Sequence, residues 1–203
     1  MHTGLVKNAT MTEWNYEKYW EYHLVVHPND DVQEKILKEK EWFYDLYQQP
    51  VATATRPHII IADFLAKEIM EQTLIRWIQK ICDLQKSFTV TLNNFNSIPV
   101  HTIYLRVQDP QPFKQLTNQL RIIDNFVRSN DCPPVQLATS PFMSIASGLP
   151  EDIYHKAVYE YARRSFHESF RVNKLTLIKR KTDYDDYQLV NTFTLPLRLT
   201  LFE

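Results

Sequence analysis

The chain of 203 residues balances 23 Lys and Arg against 24 Asp and Glu, for a formal net charge of −1, which gives no basic field of the kind that binds a long nucleic-acid duplex. A hydrophobic content of 44% with 13% aromatics excludes a disordered chain and supports one substantial core or two joined half-cores. Two glycines, Gly4 and Gly148, leave no Gly-rich phosphate loop or dinucleotide fingerprint, and Cys82 and Cys132, without metal-like spacing, read as reduced thiols of a cytoplasmic protein.

In chain order, residues 1–16 are polar and Asn/Thr-rich and predict a mobile arm without a signal peptide, while residues 17–203 predict a single bilobal domain. No stretch approaches the length of a membrane span, so no membrane partner is expected. Residues 19–26 predict a strand. His23 and His27 share a strand face but have no carboxylate or thiol at ligand spacing, and they read as surface histidines. Residues 30–49 predict a helix capped by Asn29 or Asp30, with Val32, Ile36, Leu37, Trp42, Phe43 and Leu46 near one face. Its Lys35, Lys38 and Lys40 lie among glutamates and read as a solvated face.

After a loop over 50–56 come a strand at 57–62, a helix at 67–84 and a strand at 87–92. A turn at 93–99 leads to a strand at 102–107, and both flanking strands alternate strictly. Helix 111–129 carries Phe113, Leu116, Leu120, Ile123 and Val127, and a loop over 130–140 leads to a strand at 141–146 and a helix at 151–166. Strands near 170–180 and 187–193 flank a charged turn, and residues 195–203 alternate like an edge strand. His155 and His167 flank a helix and receive no role. In His101-Thr102 the imidazole and hydroxyl are adjacent, which on a strand sends them to opposite faces.

One hexapeptide occurs twice: Pro57-His58-Ile59-Ile60-Ile61-Ala62 and Pro141-Phe142-Met143-Ser144-Ile145-Ala146. Each copy is followed by a helical stretch and then by Ser-Phe-x-Val, at Ser87 and again at Ser169, so the repeat is longer than a chance match between two apolar strands. Strand alternation puts His58 with Ile60, and Phe142 with Ser144, on one face; Ile59, Ile61, Met143 and Ile145 form the core side. Two such strands, one per lobe of a pseudo-symmetric α+β protein, resemble the His-x-Thr/Ser motifs of the two-histidine phosphoesterases, which include the 2'-5' RNA ligases and cyclic phosphodiesterases. The resemblance covers roughly residues 19–193, with a strand like 101–107 between the motifs.

What the resemblance implies is an α+β fold of two antiparallel sheets facing a central groove, with helices on the outer faces; no metal or cofactor is expected. It implies two histidines exchanging acid and base roles across a phosphate held by two hydroxyls, because one imidazole must accept a proton while the other donates. Matched by position, His58 is the first histidine and Ser144 the second hydroxyl, and these are the expected catalytic residues. Ile60 stands in place of a hydroxyl and Phe142 in place of a histidine.

The expected protein is therefore a degenerate member whose groove binds a nucleotide, a cyclic phosphate or an RNA end, with Tyr104 and Phe142 to stack on a base and Arg106 to meet an anion. Thr89, Thr91 and Thr102 join the expected groove floor. Binding is expected to strengthen as pH falls through the His58 titration, near about 6.5 for an ordinary imidazole. Two alternatives stand beside this reading: an active enzyme with a His, Lys or Tyr substituting for the lost histidine, and a non-catalytic interaction scaffold.

Overall fold

The computed structural model describes residues 18–50 and 56–197. The elements run β1 (Trp20–Val26), α1 (Asp30–Tyr47), β2 (Ile59–Ala66), a 3-10 turn at Glu68–Met70, α2 (Glu71–Leu84), β3 (Phe88–Ile98), β4 (Thr102–Val107), α3 (Gln111–Ser129), β5 (Gln136–Leu137), β6 (Phe142–Ser147), α4 (Glu151–Tyr161), β7 (His167–Val172), β8 (Lys174–Arg180) and β9 (Gln188–Thr194). The strands form a five-stranded sheet, β5-β2-β1-β8-β9, and a four-stranded sheet, β6-β4-β3-β7. Every adjacent pair is antiparallel, so the fold is α+β with two antiparallel sheets, as the resemblance implies. The predicted arm at 1–16 and most of the predicted edge strand at 195–203 fall outside the described residues.

One helix crosses from its own sheet to the other. α1 connects two strands of the five-stranded sheet yet packs against β6 and β7 of the other, with α4 beside it on β3 and β4; α2 and α3 pack on β9 and β2. Amphipathic spacing explains the docking: Leu74, Ile78, Ile81 and Cys82 form the buried stripe of α2, and Phe113, Leu116, Leu120, Ile123 and Val127 that of α3. Asp30 and Asp31 in the first turn of α1 complement its dipole, and Gln48 ends the helix in the left-handed region at φ 51°. Gly148, at φ 68°, makes the turn from β6 into α4.

Ile59, Ile61, Met143 and Ile145 are fully buried, as their alternation predicts, and all belong to one continuous hydrophobic core. The two motif strands, β2 and β6, come into contact across the space between the sheets. The repeat is broken further along. The first copy's Ser-Phe-x-Val strand crosses to the other sheet and pairs with the second copy's, Val90 opposite Phe170 and Phe88 opposite Val172.

Other expectations need correction. β3 does not turn at residue 93: an irregularity between Leu92 and Phe95, with Asn94 at φ 58°, lets it continue to Ile98 against β4. α4 stops at Tyr161 rather than 166, because Arg164 turns back to pair with Glu39 and the Phe166 amide donates to Asn94 Oδ1. The expected strand over 170–180 is two strands in different sheets, parted at Asn173, and the loop over 130–140 contains β5, which pairs with β2.

Candidate functional site

Strand alternation aims His58, Ile60, Phe142 and Ser144 away from the helix-packed faces, and the meeting of β2 with β6 gathers all four around one cavity of about 150 Å³. Lys40, Arg56, Pro57, Ala138, Ser140, Pro141 and Ser147 complete its wall. Among the described residues, none of the wall carries a carboxylate, and two carry cationic side chains. Ser144 Oγ shares a hydrogen bond of 2.8 Å with Ser147 Oγ, which leaves a paired hydroxyl edge on β6.

His58 sits just before β2 and its Nδ1–H donates to the Arg56 carbonyl at 2.7 Å. That bond fixes the tautomer and leaves Nε2 as the basic nitrogen. Burial pushes the imidazole pKa down to about 4, and the nearby His23, His27 and Lys40 push in the same direction. The ring is therefore neutral at pH 7, not poised near its ordinary value. His27, whose Nδ1–H donates to the Pro57 carbonyl at 3.0 Å, lies edge-on to His58 with ring centres 6.1 Å apart, and burial lowers its pKa as well.

Lys40 overturns the expectation of a solvated lysine face. It is only 2% exposed, and burial brings its ammonium pKa down to about 8. The signal was present in the sequence: Ile36, Lys40 and Phe43 follow helical spacing on the buried stripe of α1, so a lysine at that position must point inward. Arg56, whose Nε donates to Gln33 at 2.7 Å, follows a segment that the structure does not describe and had no motif of its own.

The other expected groove residues lie one step out. Tyr104 and Arg106 face Ser144 and Phe142 in the β4–β6 register, and the Tyr104 ring sits 4.8 Å from that of Phe142, so both flank the cavity rather than line it. Thr89, Thr91 and Thr102 are not part of the cavity wall. Thr91, on β3 two strands away from β6 along the sheet, bonds Ser169 of β7 at 2.8 Å, and Thr102 is buried against His101, whose turn position before β4 allows the contact that a strand would forbid.

His23 is not a surface histidine. The β1–β2 register sets Asp63 beside it, and with Glu21 the three groups form a buried cluster whose ligand atoms lie within 4.8 Å of one another. His23 Nε2 lies 3.4 Å from Asp63 Oδ1 and 3.6 Å from Glu21 Oε1, while Tyr187 OH donates to Glu21 at 3.2 Å and Arg180 pairs with the same carboxylate. Burial opposes charge on the imidazole, but the Asp63 and Glu21 carboxylates outweigh it and hold the pKa up at about 9. Imidazolium and guanidinium then balance the two carboxylates, and the cluster is neutral without a metal ion. Because Val25 pairs with Ile60, His23 occupies the same sheet face as the cavity wall.

Two antiparallel sheets with motif strands facing across a shared cavity define a two-histidine phosphoesterase fold. The chain belongs to the 2'-5' RNA ligase superfamily, whose profile matches residues 28–184. The crystal structure of E. coli LigT complexed with 3'-AMP superposes with a TM-score of 0.62 over 88% of this chain and 99% of that one, at 16% identity. TT0787 of Thermus thermophilus gives 0.63 over 86% and 97% at 13% identity, and the MHV ns2 PDE domain 0.53 over 79% and 99% at 14%. No curated protein matches the sequence. Among the described residues, no helix is long and apolar enough to cross a membrane.

Proposed function

We propose that the cavity is the phosphoryl site of a groove that binds a small phosphate-bearing ligand, such as a nucleotide, a cyclic phosphate or an RNA end, with the two-histidine chemistry of the family impaired. One observation carries this reading: His58 and Ser144, from different sheets, share a carboxylate-free wall with Lys40 and Arg56. Two cations and three serine hydroxyls suit an anion, because charge-assisted hydrogen bonds are about twice as strong as neutral ones. E. coli LigT, which has this fold, is known in complexes with 3'-AMP, phosphate, NADP+ and ATP, which supports a ligand of that class. The cavity volume of about 150 Å³ is too small for a whole nucleotide, given the roughly 300–1,000 Å³ of ordinary ligand pockets. A phosphoryl group fits inside while the nucleoside lies along the groove toward Tyr104 and Phe142.

Impairment follows from two side chains. A phenyl ring at 142 transfers no proton, and isoleucine at 60 gives no hydrogen bond to a phosphate oxygen. The test is titration of the protein with inorganic phosphate and 3'-AMP, following the His58 ring by NMR. Shifts that saturate, and that weaken as pH rises through about 8 where Lys40 loses its proton, are expected. Unmoved His58 signals, with Ser144→Ala behaving as the parent, would leave the scaffold-only reading in its place.

A further inference from the structure

The family's chemistry needs one group to take a proton and another to give one, and the β6 motif has lost the second. The cavity nevertheless holds two titratable side chains of opposite inclination. His58 offers an Nε2 lone pair, because its Nδ1–H is committed to the Arg56 carbonyl. Lys40 reaches the same wall from α1, the helix that packs on β6, the strand that carries Phe142 and Ser144. A base from the start of β2 and an ammonium from α1 thus line one cavity, near enough that the lysine's charge acts on the imidazole. Resting on the phosphate-binding reading above, we propose that Lys40 takes the proton-donor post left by the second motif's histidine, so that His58 and Lys40 form the acid–base couple of a slow phosphodiesterase.

In the hydrolytic step a water oxygen forms a bond to phosphorus while His58 Nε2 takes the water proton. The bond from phosphorus to the leaving ribose oxygen breaks, its electron pair stays on that oxygen, and Lys40 Nζ delivers a proton there. His58 then releases its proton to solvent and Lys40 regains one, so the net change is addition of water across the phosphodiester. Ser144 and Ser147 donate to the phosphoryl oxygens as charge develops. The protonation states suit the roles. Burial sets His58 near 4 and Lys40 near 8, which leaves base and acid in their working forms between those limits; divergence of two neighbouring pKa values is the mark of an acid–base pair. The charges that act on His58 are those of His23 and His27 from the β1 side and of Lys40 itself, and each disfavours a cation there, while Arg56 opposes them only through its carbonyl, which accepts the Nδ1–H bond. β6 contributes hydroxyls and no charge to the wall.

The test is hydrolysis of 2',3'-cyclic AMP followed across pH 4–10 for the parent, Lys40→Met, Lys40→Arg and His58→Ala, beside phosphate titration of each variant by NMR. Expected is slow parent turnover, with the alkaline limb of kcat/KM near pH 8, and a fall of at least about 10²-fold in Lys40→Met and in His58→Ala. In Lys40→Arg, which keeps the charge but does not titrate below pH 10, phosphate binding survives, the rate drops and the limb near 8 disappears. Parent-like turnover in Lys40→Met, or a limb near 8 that persists in Lys40→Arg, overturns the inference. A parent that binds phosphate but never turns over the cyclic nucleotide overturns it too and leaves the binding function standing; a parent that does neither removes both.

Discussion

At the scale of single residues, the proposed function turns on four positions of a repeated hexapeptide and one lysine outside it. His58, Ile60, Phe142 and Ser144 could be placed from strand alternation alone, because period-2 geometry is local and the apolar partners Ile59, Ile61, Met143 and Ile145 specify which face is buried. The double variant Phe142→His plus Ile60→Thr restores a proton-transfer ring and a hydroxyl to walls that already face the cavity, and turnover of 2',3'-cyclic AMP should rise about 10²- to 10⁴-fold. An unchanged rate in a folded double variant would show that the groove differs elsewhere. Lys40 was harder to read. Its neighbours in sequence, Glu39 and Glu41, suggest a solvated helix face, whereas its neighbours at helical spacing, Ile36 and Phe43, are fully buried, and the second relation decides burial.

Among the elements, most strands were legible individually, though β5 was hidden in a loop and β7 and β8 were fused into one, and the pairing of strands was not legible at all. The cluster of Glu21, His23 and Asp63 depends on the β1–β2 register, and Arg180 enters through the pairing of Glu21 with Arg180 between β1 and β8. No spacing along the chain reveals contacts set by register, which is why His23 reads from sequence as a surface residue. The cluster should govern how stability changes with pH. His23 is raised from 6.5 to about 9, so its contribution is complete below about 6.5 and is lost as pH rises through about 9. Glu21 is held well below its usual 4.5 because His23 and Arg180 outweigh the effect of burial; its contribution is present above that value and is lost on acidification. The network is therefore at full strength between roughly pH 4.5 and 6.5. Its alkaline loss is on the order of 3 kcal/mol, which for a chain of this size lowers Tm by about 5–10 °C between pH 6.5 and 9. Lys40, whose pKa is depressed, acts in the opposite sense above pH 8, so the difference between parent and His23→Gln is the quantity to measure. His23→Gln should start less stable and show a flatter Tm profile over that window; parallel profiles would remove the network from this role.

For the whole molecule, the two-sheet architecture was legible from the order of elements, but the crossing of α1 from one sheet to the other was not, since a helix docks on whichever apolar face its loops permit it to reach. That crossing makes the halves interdependent. α1 is bonded in sequence to β1 and β2 and packs on β6 and β7, and Arg164, beyond α4, clamps it by donating to both Glu39 oxygens at 2.8 and 2.9 Å while lying 3.9 Å over the Trp42 ring. Phe43 stands at the centre of this joint, fully buried, with its ring 4.8 Å from Tyr47 and 6.0 Å from Tyr161 of α4. Both sheets share one core, so neither should unfold alone. Phe43→Ala empties the joint and should cost about 3–5 kcal/mol, equivalent to a fall of roughly 6–20 °C in Tm. The loss should appear as a single transition, with hydrogen-exchange protection falling together in β1 and β2 of one sheet and in β4 and β6 of the other. A variant that melts in two steps, or that loses protection in the four-stranded sheet while the five-stranded sheet keeps its own, would mean that α1 covers a lobe instead of joining two, and that the cavity between β2 and β6 can open without unfolding either sheet.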